Sequence, residues 1–171
     1  VRRLMVREIK TYPDPALEAK AEPIESITDD VKALANDMAE TMYENNGIGL
    51  AAPQVGQSCR LIIVDISGPE HREDLKVVLN PRIDFKEGQT EIEEGCLSLP
   101  GFKTKVTRAD KVTLTGLDLE GQEVSIQAEG LLAVCLQHEL DHLEGTVLLD
   151  HASRLKRSMY RKKMKKCQKK T

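Results

Sequence analysis

At 171 residues, 40% hydrophobic and 31% charged, the chain has the size and composition of one soluble globular domain spanning residues 1–171. Its apolar runs fall short of the roughly 18 to 20 residues that cross a membrane. Residues 1–6 are too short and polar for a secretory signal, so a cytoplasmic location is expected. The net charge of -3 is uneven: residues 1–150 hold all 28 acids and 15 Lys+Arg, whereas residues 151–171 hold ten Lys+Arg and no acid. Such a block reads either as a solvated helix or frayed tail, or as a contact for a polyanion such as RNA.

The first helix is expected over residues 29–45, where Val31, Leu34, Ala35, Met38 and Met42 share one face and Thr28 can cap the start. Asn45-Asn46-Gly47 stops it. The next segment, Gly47-Ile48-Gly49-Leu50-Ala51-Ala52-Pro53-Gln54-Val55-Gly56, threads three glycines and a proline through apolar residues. That composition predicts a backbone approaching something closely, not a regular element. Strands are expected at 60–66 and 75–79, the second closed by Asn80-Pro81, followed by a hairpin of 111–119 with 123–128. Residues 131–143 read as a helix that is apolar nearly all round and belongs in the middle of a domain. The basic segment, with Leu155, Met159 and Met164 among its charges, predicts a C-terminal helix. Strands before a central helix, without βαβ alternation, indicate an α+β fold of mostly antiparallel sheets packed around that helix.

Within the central helix lies His138-Glu139-Leu140-Asp141-His142, an H-E-x-x-H pattern. Residues i and i+4 stack on one helix face, so two imidazoles can converge on one ion while Glu139 reaches a water beside it. Polar residues inside an apolar helix are costly unless metal and hydrogen bonds satisfy them. A catalytic site of this kind takes three protein ligands and leaves one position open.

Of the four cysteines, Cys135 shares the histidine face but lies about 10 Å from His142 along the axis. Ligand atoms of a tetrahedral ion sit within roughly 4 Å of one another, so Cys135 reads as packing beside the site. Cys96, in the turn-like Glu94-Gly95-Cys96-Leu97-Ser98-Leu99-Pro100, can arrive from elsewhere in the chain and meet both histidines. Cys59 and Cys167 have no such setting, and His71 and His151 read as surface residues. A thiolate with two imidazoles suggests zinc on chemical grounds.

Three segments in this order and spacing, Gly47 to Gln54, Glu94 to Ser98 and Gln137 to His142, resemble the peptide deformylase family. The likeness runs from Tyr12-Pro13-Asp14-Pro15 to the basic C-terminal segment, and the length looks like the shorter form common in Gram-negative bacteria. The resemblance implies a hydrolase that removes the formyl group from the N-terminal methionine of newly made chains and releases formate. It implies Cys96, His138 and His142 as metal ligands and Glu139 as catalytic acid/base. Gln54 and the backbone N–H of Leu97 would stabilise the oxyanion. Gly49 and Gly95 would lie along the substrate, and Ile48, Leu131, Val134 and Cys135 would line the methionine pocket. Lys103 departs from the Arg that some relatives carry near the substrate channel.

The resemblance also implies Fe(II) as the metal, with zinc, nickel or cobalt able to occupy the site, and N-formylmethionyl nascent peptides as partners. For the basic C-terminal segment it suggests contact with the ribosome. Two other readings compete. A zinc metallopeptidase shares H-E-x-x-H but takes its third ligand farther along the chain, and leaves Cys96 unexplained. A structural metal site in an RNA-binding module predicts a closed fourth position.

Overall fold

The helix expected after residue 28 forms as α1 (Asp29–Glu44), with the Thr28 hydroxyl accepting from the Val31 N–H at 3.3 Å and Asp29 and Asp30 in the positive first turn. The chain is described here by a computed structural model covering residues 4–169. Strands β1 (Gly49–Ala51), β2 (Leu61–Val64), β3 (Lys76–Glu87), β6 (Lys111–Leu117) and β7 (Glu123–Glu129) form one sheet in the order β1-β2-β3-β6-β7. Strands β4 (Thr90–Cys96) and β5 (Leu99–Arg108) form a separate two-stranded sheet. Every strand pair is antiparallel. Together with α2 (Leu131–Leu143) and α3 (Arg154–Lys169), this is the α+β arrangement anticipated.

The large sheet is sandwiched between helices, and β2 shows why. All four of its residues, Leu61-Ile62-Ile63-Val64, are buried. Leu61 and Ile63 join the apolar cluster of α1, with Met38, Met42 and Leu50. Ile62 and Val64 join that of α2, with Ala133, Leu136 and Leu143. A strand covered on both faces has no polar side to alternate with, so it reads as a continuous apolar run. A third cluster gathers Leu99, Phe102 and Val106 of β5 with Leu17, Leu148, Leu149 and Tyr160.

Several segments differ from expectation. β3 does not stop at Asn80-Pro81 but continues to Glu87, with a register shift between Leu79 and Arg82. Asn80 takes a left-handed φ of 50°, and its side-chain amide exchanges two 2.8 Å hydrogen bonds with the backbone of Ile24. The shift absorbs the proline, which cannot donate to a ladder. The hairpin β4–β5 was not foreseen, because glutamates fill β4 and the inward row of β5 includes Thr104 and Arg108, which blurs the apolar alternation. The glycine-rich segment holds the short β1 and a 3-10 turn over Ala52–Val55. No described helix is long and apolar enough to cross a membrane.

The C-terminal helix is more than a charged appendage. Tyr160 is 5% exposed, its ring 5.0 Å from Phe102 and 6.0 Å from Tyr12. Arg154, Lys156, Arg161, Lys162, Lys163, Lys165 and Lys166 face outward. Residues 170 and 171 lie outside the described residues.

Candidate metal centre

Helix α2 begins after Gly130, whose φ of 62° admits the chain into the helix at an angle few other residues adopt. Its apolar residues bury it against β1, β2, β6 and β7, which carries His138, Glu139 and His142 into the interior. The two imidazoles sit one turn apart with ring centroids 5.1 Å from each other. Cys96, the last residue of β4, meets them from the second sheet, its Sγ 3.4 Å from His142 Nε2.

Ligand atoms of Cys96, His138 and His142 all lie within 4.8 Å of one another, and no other group of three metal-binding side chains does so among the described residues. Ligands of a tetrahedral ion stand roughly 3.5 Å apart, so the donors are gathered to within a small contraction of a complete site. Cys135 stays outside the trio as a buried neighbour, its thiol pushed up to about 12 by burial.

Charge in the site suits a cation. Burial acts to lower the His138 pKa, but hydrogen bonds to Cys96 and Glu94 and the nearby Glu139 raise it to about 10. The negative groups that raise it, Cys96, Glu94 and Glu139, would attract a divalent ion as well, which takes the proton's place on binding. Burial, then the charges of His138 and Arg108, hold His142 well below its ordinary value, leaving the neutral ring that ligation needs. Glu139 is raised to about 7 by burial, and its Oε2 is buried with no hydrogen-bond partner among the described residues. A buried carboxylate beside the two imidazoles with an uncommitted oxygen is placed to exchange a proton with a water at the site.

The trio opens onto a cavity of about 660 Å³. Ile48, Gly49, Gln54, Gly95, Cys96, Leu97, Leu131, Val134, Cys135, His138 and Glu139 all line it, so every residue singled out from sequence except His142 reaches the cavity wall. His142 stands behind, 1% exposed. Lys103 is at the wall as well. Gln54 is held at both ends: its Oε1 accepts from the Ala51 N–H at 3.0 Å, and its Nε2 donates to Ser98 Oγ at 3.1 Å while lying 3.7 Å from Cys96 Sγ.

Sequence reasoning missed the residues behind the trio. The His138 Nδ1 is 2.9 Å from Glu94 Oε1. Arg108 grips Glu94 through Nε at 2.6 Å and Nη2 at 3.0 Å, and reaches Asp141 with Nη1 at 3.0 Å. Burial pushes the Glu94 carboxyl up, but the hydrogen bonds from His138 and Arg108 outweigh it and hold it below the usual range. Glu94 was visible as a motif neighbour of Cys96; nothing in the chain marked Arg108. His151 is exposed, as expected, but pairs with Asp141 at 2.8 Å.

Three comparisons converge on this arrangement. The model of the polypeptide deformylase family matches residues 6–158. A peptide deformylase of Thermodesulfovibrio yellowstonii is 53% identical over 162 residues, covering 95% of this chain and 98% of that protein. The crystal structure of a peptide deformylase from Legionella pneumophila superposes with a TM-score of 0.90 at 45% identity, covering 96% of each chain. That of the Ehrlichia chaffeensis peptide deformylase in complex with actinonin gives 0.87 at 38% identity, over 95% of this chain and 98% of that one.

Proposed function

This chain belongs to the polypeptide deformylase family and removes the N-formyl group from nascent peptides; we propose that Cys96, His138 and His142 hold the metal for this hydrolysis and that Glu139 moves its proton. The observation that carries the assignment is the convergence of a thiol and two imidazoles beside a carboxylate at the wall of one cavity.

Cys96, His138 and His142 would hold a divalent ion, which would supply Lewis-acid chemistry to a bound water and to the formyl carbonyl. Glu139 accepts the proton of the attacking water and delivers it to the departing amine. The oxyanion is met by the Gln54 amide, oriented by Ala51 and Ser98, and by the N–H of Leu97 in the turn after β4. Formate and a peptide with a free N-terminal methionine leave. Ile48, Leu131, Val134 and Cys135 would enclose the methionine side chain, with Gly49 and Gly95 offering bare backbone to the peptide.

For the ion itself, the family likeness favours Fe(II), with zinc, nickel or cobalt as substitutes. The exposed cations of α3 support a second proposal, that this helix contacts ribosomal RNA near emerging chains, which would fix a cytoplasmic site of action. We also read residues 1–171 as one catalytic domain ending in this basic helix.

A formate-release assay on formyl-Met-Ala tests the reading. Hydrolysis should vanish with a chelator, return with a divalent metal, and be absent for internal bonds of an unformylated peptide. Cleavage of unformylated peptides would favour the metallopeptidase reading, against which the Cys96 ligand already argues.

A further inference from the structure

The carboxylate of Glu94, two residues before Cys96 on β4, lies behind the His138 imidazole. Its Oε1 is 2.9 Å from His138 Nδ1 and 3.0 Å from Arg108 Nη2, and its Oε2 is 2.6 Å from Arg108 Nε. A carboxylate gripped by an arginine fork can only accept at Nδ1, so that nitrogen keeps its hydrogen and Nε2 is the atom left to bind an ion once the ion displaces its proton. The fork uses two of the arginine's nitrogens. The third, Nη1, is 3.0 Å from Asp141, which lies on α2 between the two histidines in sequence. Arg108 therefore braces the strand that carries Cys96 against the helix that carries His138 and His142.

Side chains of Arg108 and Glu94 are 5% and 6% exposed. Burying such a pair takes two charges from water, and replacing one with packed apolar residues is often neutral or stabilising. Stability is thus a poor reason for its presence, whereas a fixed position for Glu94 is a good one. The two histidines differ in this respect: among the described residues the Nδ1 of His142 has no hydrogen-bond partner, whereas that of His138 is held by Glu94.

We propose that Glu94 and Arg108 are positioning residues for the metal, Glu94 fixing the tautomer and ring orientation of His138 and Arg108 holding Glu94 in place. This rests on the ligand assignment above. Partners of this kind typically contribute 10- to 100-fold in metal affinity.

The test is Co(II) binding to metal-free protein, measured by chelator competition and by the visible spectrum of the bound ion, with near-UV circular dichroism recording the fold. Glu94→Gln, which keeps shape and loses charge, should bind Co(II) 10- to 100-fold more weakly with a changed visible spectrum; Arg108→Lys, which loses the fork, should show a smaller loss. Folded Glu94→Gln with wild-type affinity and spectrum overturns the proposal. Should that variant not fold, Arg108→Lys decides: weakened binding in folded protein supports positioning, and wild-type binding overturns it. Cys96→Ala protein that binds Co(II) as tightly as the wild type would instead contradict the ligand assignment, so the two failures are distinguishable.

Discussion

Gly49 lies with its bare Cα against the Glu139 carboxylate: a Cβ there would fall 2.9 Å from Oε1 and 3.2 Å from both Cγ and Cδ. These atoms are the mobile end of a side chain that lines the cavity, so Glu139 is the group that must give way. Gly49→Ala should therefore shift the proposed base while leaving the ligand trio intact. We expect kcat on formyl-Met-Ala to fall about 100-fold, the scale of a 1 Å misplacement, with metal content unchanged. Steady-state kinetics beside metal analysis check this; a variant with wild-type kcat would show that Glu139 tolerates displacement.

Gln54 is anchored by Ala51 and Ser98 with its Nε2 turned toward Cys96. Gln54→Ala should lower kcat by about 100- to 1,000-fold, the effect of losing one oxyanion donor, with a smaller change in KM. A loss confined to KM would reassign the residue to substrate binding.

Away from the site, buried Asp65 accepts from the Tyr43 hydroxyl and the Ser67 hydroxyl, both at 2.6 Å, and from the Ser67 N–H at 2.9 Å. Burial pushes its pKa up, but these hydrogen bonds prevail and hold it below the usual carboxylate range. A depressed folded pKa stabilises above the unfolded value of about 3.9 and ceases to do so as pH falls through the folded one. At pH 7, Asp65→Asn should cost about 2 kcal/mol in urea unfolding, the scale of hydrogen bonds to a charged group. The gap between wild type and variant should narrow below pH 4; a constant gap would show that the charge is not involved.

Much of this was legible in the chain. Spacing gave α1 and α2 their bounds within a residue, and the polar residues of α2 drew notice because an apolar helix should not hold them unpaired. The thiol of Cys96 could be nominated by excluding Cys135 along the helix axis. What stayed hidden depends on contacts between distant segments. Asn80-Pro81 looks like a strand end until Ile24 supplies the hydrogen bonds that carry β3 past it. Arg108 looks like one more surface cation until Glu94 and Asp141 close around it. Tyr160 looks like part of a charged tail until Phe102 packs on it.

That last contact determines how ribosome binding should be tested. Deleting α3 would remove Tyr160 from a buried cluster, so charge reversal is the cleaner change. Lys162→Glu, Lys165→Glu and Lys166→Glu together should weaken ribosome association about tenfold or more at low salt and less at high salt, with formyl-Met-Ala hydrolysis within about twofold of wild type. Sedimentation with ribosomes over a salt series measures it, and unchanged association would end the idea.

The most direct measurement is turnover of formyl-Met-Ala by Glu139→Ala protein whose metal content has been determined. With Cys96, His138 and His142 untouched, the variant should retain one equivalent of metal and lose about 1,000-fold or more in kcat, within the range of a lost acid/base group. Metal retained with kcat within tenfold of wild type would contradict the assignment of the proton transfer to Glu139.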